Sequence, residues 1–168
     1  MGKNQRLALI ATLCAQAVVI SLFERQLPTF LFFAPGAKMG LANIITCIAL
    51  FTLPIKDTVR IVTVRLLLTA FLSGTMSTLL YGASGAFLSL IFMILLYKFG
   101  GDKVSIIGIS VVGGFMHNLG QLLVASLITR TWTVLLYLPI LSLAGIIAGI
   151  LIGFLANYLL EHIEKLNL

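Results

Sequence analysis

The sequence predicts an all-α fold: a compact bundle of about six transmembrane helices in a polytopic integral membrane protein. Of its 168 residues, 60% are hydrophobic and only 10% are charged, whereas a soluble globular domain carries roughly 25% charged residues. The mean hydropathy is +1.15. So few charges cannot cover a water-facing surface, so membrane lipid is expected to surround most of the exterior. The length suits one domain, and we predict a single transmembrane domain over residues 1–168.

Six apolar segments are candidates for membrane-spanning helices. A bilayer core of about 30 Å requires around 20 helical residues, and roughly 17 can suffice. The segments lack the apolar/polar alternation of a membrane barrel, so strands are not expected. Arg60 and Arg65 lie in the third segment, where an interfacial or re-entrant helix is the alternative. The predicted spans are residues 7–23, 39–53, 58–72, 79–99, 104–128 and 133–160.

The Lys and Arg residues predict the orientation of these spans. One side carries Lys3, Arg6, Lys56, Arg60, Lys98, Lys103 and Lys165, and the other carries Arg25, Lys38 and Arg130. This excess predicts that both termini are cytoplasmic in a multi-pass protein of the cell (plasma) membrane. The formal charge of +6 would suit binding to nucleic acid, but the basic residues lie at the ends of the apolar segments. That distribution indicates the topology of the chain in the membrane, and no nucleic-acid partner is expected.

Polar side chains within the fifth span are the strongest functional signal. His117 and Gln121 are four residues apart and share a helix face, while Asn118 points about 100° away. Gly113 and Gly120 leave space beside that face. Polar groups at such depth are costly and often mark a ligand or ion path. The alternative is that they hydrogen-bond a neighbouring helix.

Arg65 is the second signal, because it lies roughly 13 Å along a helix from Lys56. A charge at that depth needs a partner or a cavity, and Asp57 is a candidate member of such a network. If the ligand is anionic, Arg65 would be its counter-charge. The alternative is that the side chain snorkels to the membrane interface.

The first outer loop is the third signal. Glu24, Lys38 and Asn43 bracket an aromatic stretch at residues 30–33, with prolines that restrict the chain. Such a loop is suited to be a lid over a cavity. Anchoring of the aromatic rings in the headgroup zone is an equal alternative.

Two stripes of small residues allow close helix contact. Gly145, Gly149 and Gly153 recur every four residues in the sixth span, and Ala11 and Ala15 form a shorter groove in the first. Packing within the protein is the default interpretation of both. Contact with a partner is the other.

Known catalytic motifs are missing from the sequence. It contains no phosphate-binding Gly-Lys-Ser/Thr loop, no His-Glu-x-x-His and no Gly-x-Ser-x-Gly. Its two cysteines lack zinc spacing, its two histidines are far apart, and no aspartate-rich pair is present to hold magnesium on a diphosphate. We therefore expect neither an enzyme nor a cofactor nor a metal site. An intramembrane enzyme is the least favoured function.

Four stretches resemble one known family. They are Glu-Arg-Gln-Leu-Pro at 24–28, Pro-Gly-Ala-Lys-Met-Gly-Leu-Ala-Asn at 35–43, Ser-Gly-Ala-Phe-Leu-Ser at 84–89, and Gly-Phe-Met-His-Asn-Leu-Gly-Gln at 114–121. They resemble the Gx transporter family, also labelled heptaprenyl diphosphate synthase component I. That family is similar to the substrate-binding S components of energy-coupling factor transporters. The resemblance implies six helices and a ligand pocket near the outer face, partly closed by the loop after helix one.

The resemblance also implies a function. The chain would be an S-component-like membrane subunit for uptake of a small, amphipathic, isoprenoid-like or vitamin-like molecule. An energy-coupling transmembrane subunit with two ATPases would dock on an Ala-x-x-x-Ala groove, matched here by Ala11 and Ala15. The synthase label conflicts with the scattered acids, so association with a prenyl diphosphate synthase is expected at most. The alternative is a non-catalytic subunit or scaffold for isoprenoid or quinone biosynthesis, or for a membrane redox system. The candidate substrate-binding residues are Glu24, Lys38, Asn43, Arg65, His117, Asn118 and Gln121.

Overall fold

Within the residues that the structure describes, the chain folds into six α-helices, as the sequence predicts. The structure is a computed structural model that describes residues 2–26, 39–73 and 76–165, and within these residues it contains no β-strand. The helices are α1 (Lys3–Glu24), α2 (Asn43–Thr52), α3 (Ile55–Ser73), α4 (Met76–Phe99), α5 (Ile106–Thr129) and α6 (Leu138–Lys165). Short 3₁₀ turns at Gly101–Lys103 and Trp132–Tyr137 precede α5 and α6.

Four helical segments are each long and apolar enough to cross a membrane. They are Lys3–Glu24, Leu79–Phe99, Ile106–Thr129 and Trp132–Ile163, from α1, α4, α5 and α6. The two other helices differ from a simple span in different ways. At 10 residues, α2 is only about 15 Å long. At 19 residues, α3 is about 28 Å long, but it carries four charged side chains.

The short helix α2 is the centre of the bundle. It contacts all five other helices, and seven of its ten residues are buried. It ends where Leu53 takes an extended conformation, because the following Pro54 disfavours helical geometry in the residue before it. The other helices surround α2 in the order α1, α3, α4, α5, α6.

The ring of outer helices is open between its first and last members. Within the described residues, α1 and α6 do not pack against each other, and a groove of about 450 Å³ lies between them over α2. Ala15 lines this groove, and Ala11 is exposed one turn earlier on α1. The groove is lined by Ala15, Gln16, Val19, Ile20, Ile44, Ile45, Ile48 and Leu159.

Helices α1 and α3 run in the same direction. Near their starts, Arg6 of α1 pairs with Asp57 of α3, and near their far ends Glu24 and Thr69 line one cavity. These contacts define two ends of the bundle. The Arg6 end is where α1 and α3 begin, and the Glu24 end is where α1 finishes.

Glycines bring α5 and α6 into backbone contact. A Cβ atom on Gly114 would overlap the carbonyl oxygen of Gly145, and one on Gly149 would lie 2.6 Å from the Cα of Val111. Asn118 adds a hydrogen bond across the same interface, donating from Nδ2 to the Leu141 carbonyl at 2.6 Å. The glycine stripe of the sixth span therefore packs within the protein.

Candidate functional site

A small buried cavity lies toward the Glu24 end of the bundle. Its walls come from the end of α1, the residues just before α2, the second half of α3, the start of α4 and the middle of α5. Its volume is about 20 Å³, which is room for about one water molecule. The lining residues are Ser21, Glu24, Gly40, Ala42, Arg65, Leu66, Thr69, Gly82 and His117.

Glu24 closes one side of the cavity. It is the last residue of α1 and only 1% exposed, so the side chain belongs to the interior and not to the surface of a loop. Its Oε1 accepts hydrogen bonds from the backbone N–H groups of Gly40 at 2.6 Å and Leu41 at 3.2 Å. Gly40 has a positive φ of 86°, which favours glycine. The carboxylate therefore ties the chain before α2 to the end of α1.

Arg65 supplies the positive charge of the cavity. It is only 4% exposed, so the guanidinium is buried and does not snorkel to the interface. It interacts electrostatically with the Glu24 carboxylate. Among the described residues, neither Arg65 Nε nor Thr69 Oγ1, one helical turn further along α3, has a hydrogen-bond partner. Because buried polar groups normally find partners, these two atoms are the available polar positions of the cavity.

His117 forms the inner wall of the cavity. The imidazole lies between two glycines: a Cβ atom on Gly40 would lie 2.9 Å from its Cδ2, and one on Gly85 would lie 3.0 Å from its Nδ1. The ring is 3% exposed. Any side chain larger than hydrogen at either glycine would displace the imidazole, so the two glycines determine where His117 sits.

Three of the predicted substrate-binding residues thus line the cavity, and three others are buried without lining it. The cavity contains Glu24, Arg65 and His117. Asn43 donates from Nδ2 to Ser89 Oγ at 3.2 Å and joins the start of α2 to α4. Asn118 bonds α6, and Gln121 is buried one turn beyond His117.

Two further predictions concern residues that are not placed in this cavity. Lys38, together with the aromatic and proline-containing loop predicted as a lid, lies outside the described residues. Asp57, the predicted member of a network with Arg65, pairs instead with Arg6 and Arg60 at the Arg6 end.

Sequence reasoning missed the hydroxyl groups of the cavity. Ser21 precedes Glu24 by three residues, and Thr69 follows Arg65 by four. At these spacings each hydroxyl shares a helix face with the neighbouring charged residue. The spacing could therefore have predicted that both hydroxyl groups lie at the site.

The site is suited to bind a polar group. It offers one carboxylate, one guanidinium, two hydroxyl groups and one imidazole within apolar walls. Among the described residues, no group of three or more His, Cys, Asp and Glu side chains is placed to hold a metal ion. The arrangement therefore fits recognition of a small polar moiety by hydrogen bonds and opposite charges.

Comparison with known proteins identifies the family. The family model described as heptaprenyl diphosphate synthase component I matches residues 13–159. No curated protein and no solved structure matches the chain. The matched region includes α2 to α5 completely, the second half of α1, most of α6, and every residue that lines the cavity. The chain therefore belongs to the heptaprenyl diphosphate synthase component I family, of which it is a membrane component.

Proposed function

We propose that this protein is a non-catalytic, substrate-binding membrane subunit for the uptake of a small molecule, similar to the S components of energy-coupling factor transporters. It would lie in the plasma membrane with both termini in the cytoplasm, and partner ATPase subunits would supply the energy. The observation that carries the proposal is the buried cavity in which Arg65 Nε and Thr69 Oγ1 have no partner among the described residues. Unpartnered donors at membrane depth are expensive, and a bound ligand would satisfy them.

The chemistry of the cavity suggests the class of ligand. Glu24 and Arg65 have opposite charges and line the same cavity, so a ligand with a compact polar group meets both a donor and an acceptor. Val62, Leu66, Ala86 and Leu90 form an apolar cluster next to it. An amphipathic molecule, isoprenoid-like or vitamin-like, combines these two properties.

The volume of the cavity adds a step to the proposal. Small-molecule pockets typically measure roughly 300–1,000 Å³, whereas this cavity is about 20 Å³. This volume cannot hold a whole ligand, so we propose that the walls of the cavity separate when the ligand binds. Glu24 and Gly40 belong to different elements of the wall and are joined by one hydrogen bond, so their separation would widen the cavity.

A second candidate function is supported by the family description. The family is named as component I of a prenyl diphosphate synthase, and a cavity of one-water size suits a structural subunit without a ligand of its own. In that role the chain would associate with a catalytic prenyl diphosphate synthase at the membrane.

A conservative pair of substitutions tests the first proposal. Thr69→Val removes the cavity hydroxyl and keeps the shape of the side chain. Thr58→Val is the matched control, because Thr58 Oγ1 is also buried without a partner among the described residues but does not line the cavity. Replacing a buried unsatisfied hydroxyl by a methyl group should not destabilise either variant. We expect a small molecule to be extracted with the wild-type protein, and its amount, measured by mass spectrometry, to be at least about fivefold lower in Thr69→Val.

The same purification separates the two candidate functions. A small molecule enriched in the wild type and the Thr58→Val control, but not in Thr69→Val, supports substrate binding. Co-purification of a prenyl diphosphate synthase with no enriched small molecule supports the second function. Equal recovery from all three proteins contradicts the assigned site.

The proposed docking surface requires a separate experiment. Bulky residues at the exposed Ala11 and Ala15 should block contact with an energy-coupling subunit, since close helix contact needs small side chains. We expect Ala11→Leu/Ala15→Leu to lose most of the co-expressed coupling subunit in a pull-down while retaining the small molecule. Leu143→Phe, which adds bulk at an exposed position of α6, is the control. Wild-type recovery of the partner by the double variant would rule out this surface.

A further inference from the structure

The Arg6 end of the bundle carries a basic cluster built around one buried carboxylate. Asp57 is completely buried, and its two oxygens contact different arginines. Arg6 donates from Nε to Oδ2 and its Nη2 forms an ion pair with the same oxygen, while Arg60 donates from Nη1 to Oδ1 at 2.9 Å. One buried anion therefore holds two guanidinium groups, one from α1 and one from α3, side by side.

Two lysines extend this cluster. Lys3 precedes Arg6 by three residues on α1, and Lys56 precedes Arg60 by four on α3, so each lysine shares a helix face with its arginine. Both lysines are exposed. With Asp57 included, the cluster has a net charge of +3. No other carboxylate among the described residues pairs with it.

The cluster is open to solvent on the side away from Asp57. The arginine side chains are 43% and 69% exposed, and each guanidinium has more N–H groups than its bonds to Asp57 use. A single arginine would be enough to pair with Asp57. The second adds like-charge repulsion, which a bound anion would relieve.

We propose that this cluster, comprising Lys3, Arg6, Lys56 and Arg60, is a phosphate-binding site. Paired guanidinium groups in fixed positions match the oxygens of a phosphate or diphosphate, and the lysines add charge without fixed geometry. The phosphate has two sources that share this chemistry: the headgroup of an anionic lipid at the bilayer surface, or a soluble diphosphate. The inference is independent of the cavity at the Glu24 end and of the function proposed for it.

The test compares two pairs of basic residues at the same predicted side of the membrane. Lys56→Gln/Arg60→Gln weakens the cluster but leaves Arg6 on Asp57, so the junction between α1 and α3 remains. Lys98→Gln/Lys103→Gln removes two exposed basic residues that no buried carboxylate holds among the described residues. Each protein is placed in nanodiscs of phosphatidylcholine with phosphatidylglycerol, and lipids retained on extraction are measured by native mass spectrometry. Binding of inorganic pyrophosphate is measured by calorimetry in neutral detergent.

Either of two results supports the proposal and names the source. Preferential retention of phosphatidylglycerol by the wild type, weakened about thirtyfold in the Lys56→Gln/Arg60→Gln variant, indicates a lipid headgroup. Pyrophosphate binding weakened by a similar factor indicates a soluble diphosphate. The control variant should match the wild type, and all three proteins should have the same thermal midpoint. If the wild type prefers neither anion, or if both variants lose binding equally, the proposal is wrong.

Discussion

Replacing Glu24 with alanine is expected to lower the free energy of unfolding by about 3–5 kcal/mol, because it leaves a buried positive charge without its counter-charge. Arg65 is 4% exposed, and the Glu24 carboxylate lines the same cavity and interacts with it electrostatically. The substitution also removes the acceptor for the Gly40 and Leu41 N–H groups. The measurement is reversible unfolding of the purified protein in mixed micelles as the fraction of denaturing detergent is raised.

A double-mutant cycle separates the charge from the hydrogen bonds. Glu24→Gln keeps an oxygen that accepts from Gly40 but loses the negative charge, so it should be less damaging than Glu24→Ala. Combining it with Arg65→Met removes the uncompensated cation, and the pair should recover much of the stability that the single change at Glu24 loses. If Glu24→Gln were as stable as the wild type, the carboxylate would not be compensating Arg65.

The helices themselves were largely predictable from the sequence. Long apolar runs between charged residues and turns indicate spans whatever their neighbours are, and α4 and α5 begin and end within three residues of the predicted limits. Helix α6 begins and ends five residues later than predicted, because a 3₁₀ turn occupies the start of the predicted span. The central position of α2 was not predictable. Its ten residues are apolar on nearly every side, which agrees equally with a short span and with a helix surrounded by protein. Only its contacts with all five other helices distinguish the two.

Individual residues of the candidate site could be predicted from the sequence, but their meeting around one cavity could not. Arg65 and His117 were notable individually because an ionisable group at membrane depth needs a partner, whereas Glu24 was expected in the first outer loop. Their meeting depends on α1 and α3 running parallel and on Gly40 and Gly85 leaving room for the imidazole, and neither condition follows from local spacing.

Asn118 shows the limit of local reasoning about polar residues in a membrane helix. It is adjacent to His117 in sequence, yet its amide bonds the Leu141 carbonyl of α6 while His117 lines the cavity. The angle of about 100° between successive residues predicts that they face different neighbours. It does not predict which neighbour is a helix and which is a cavity.

Gly114→Ala is expected to destabilise the protein by about 3 kcal/mol, because the added methyl group would overlap the Gly145 carbonyl oxygen. A backbone carbonyl cannot rotate away as a side chain can, so α5 and α6 must move apart. That movement would also stretch the 2.6 Å bond from Asn118 to Leu141, which lies one helical turn along the same interface. The measurement is again unfolding in mixed micelles.

Gly108→Ala provides the control on the same helix. A Cβ atom there would lie 3.4 Å from Val104 Cγ1 and 3.5 Å from Ser105 Oγ, which are ordinary van der Waals contacts. Since alanine favours a helix by about 1 kcal/mol over glycine, this variant should be as stable as the wild type or more so. If the free energy of unfolding falls in Gly114→Ala and does not fall in Gly108→Ala, the interface with α6, and not helix propensity, requires glycine at position 114. Equal effects at both positions would contradict the close approach of α5 and α6.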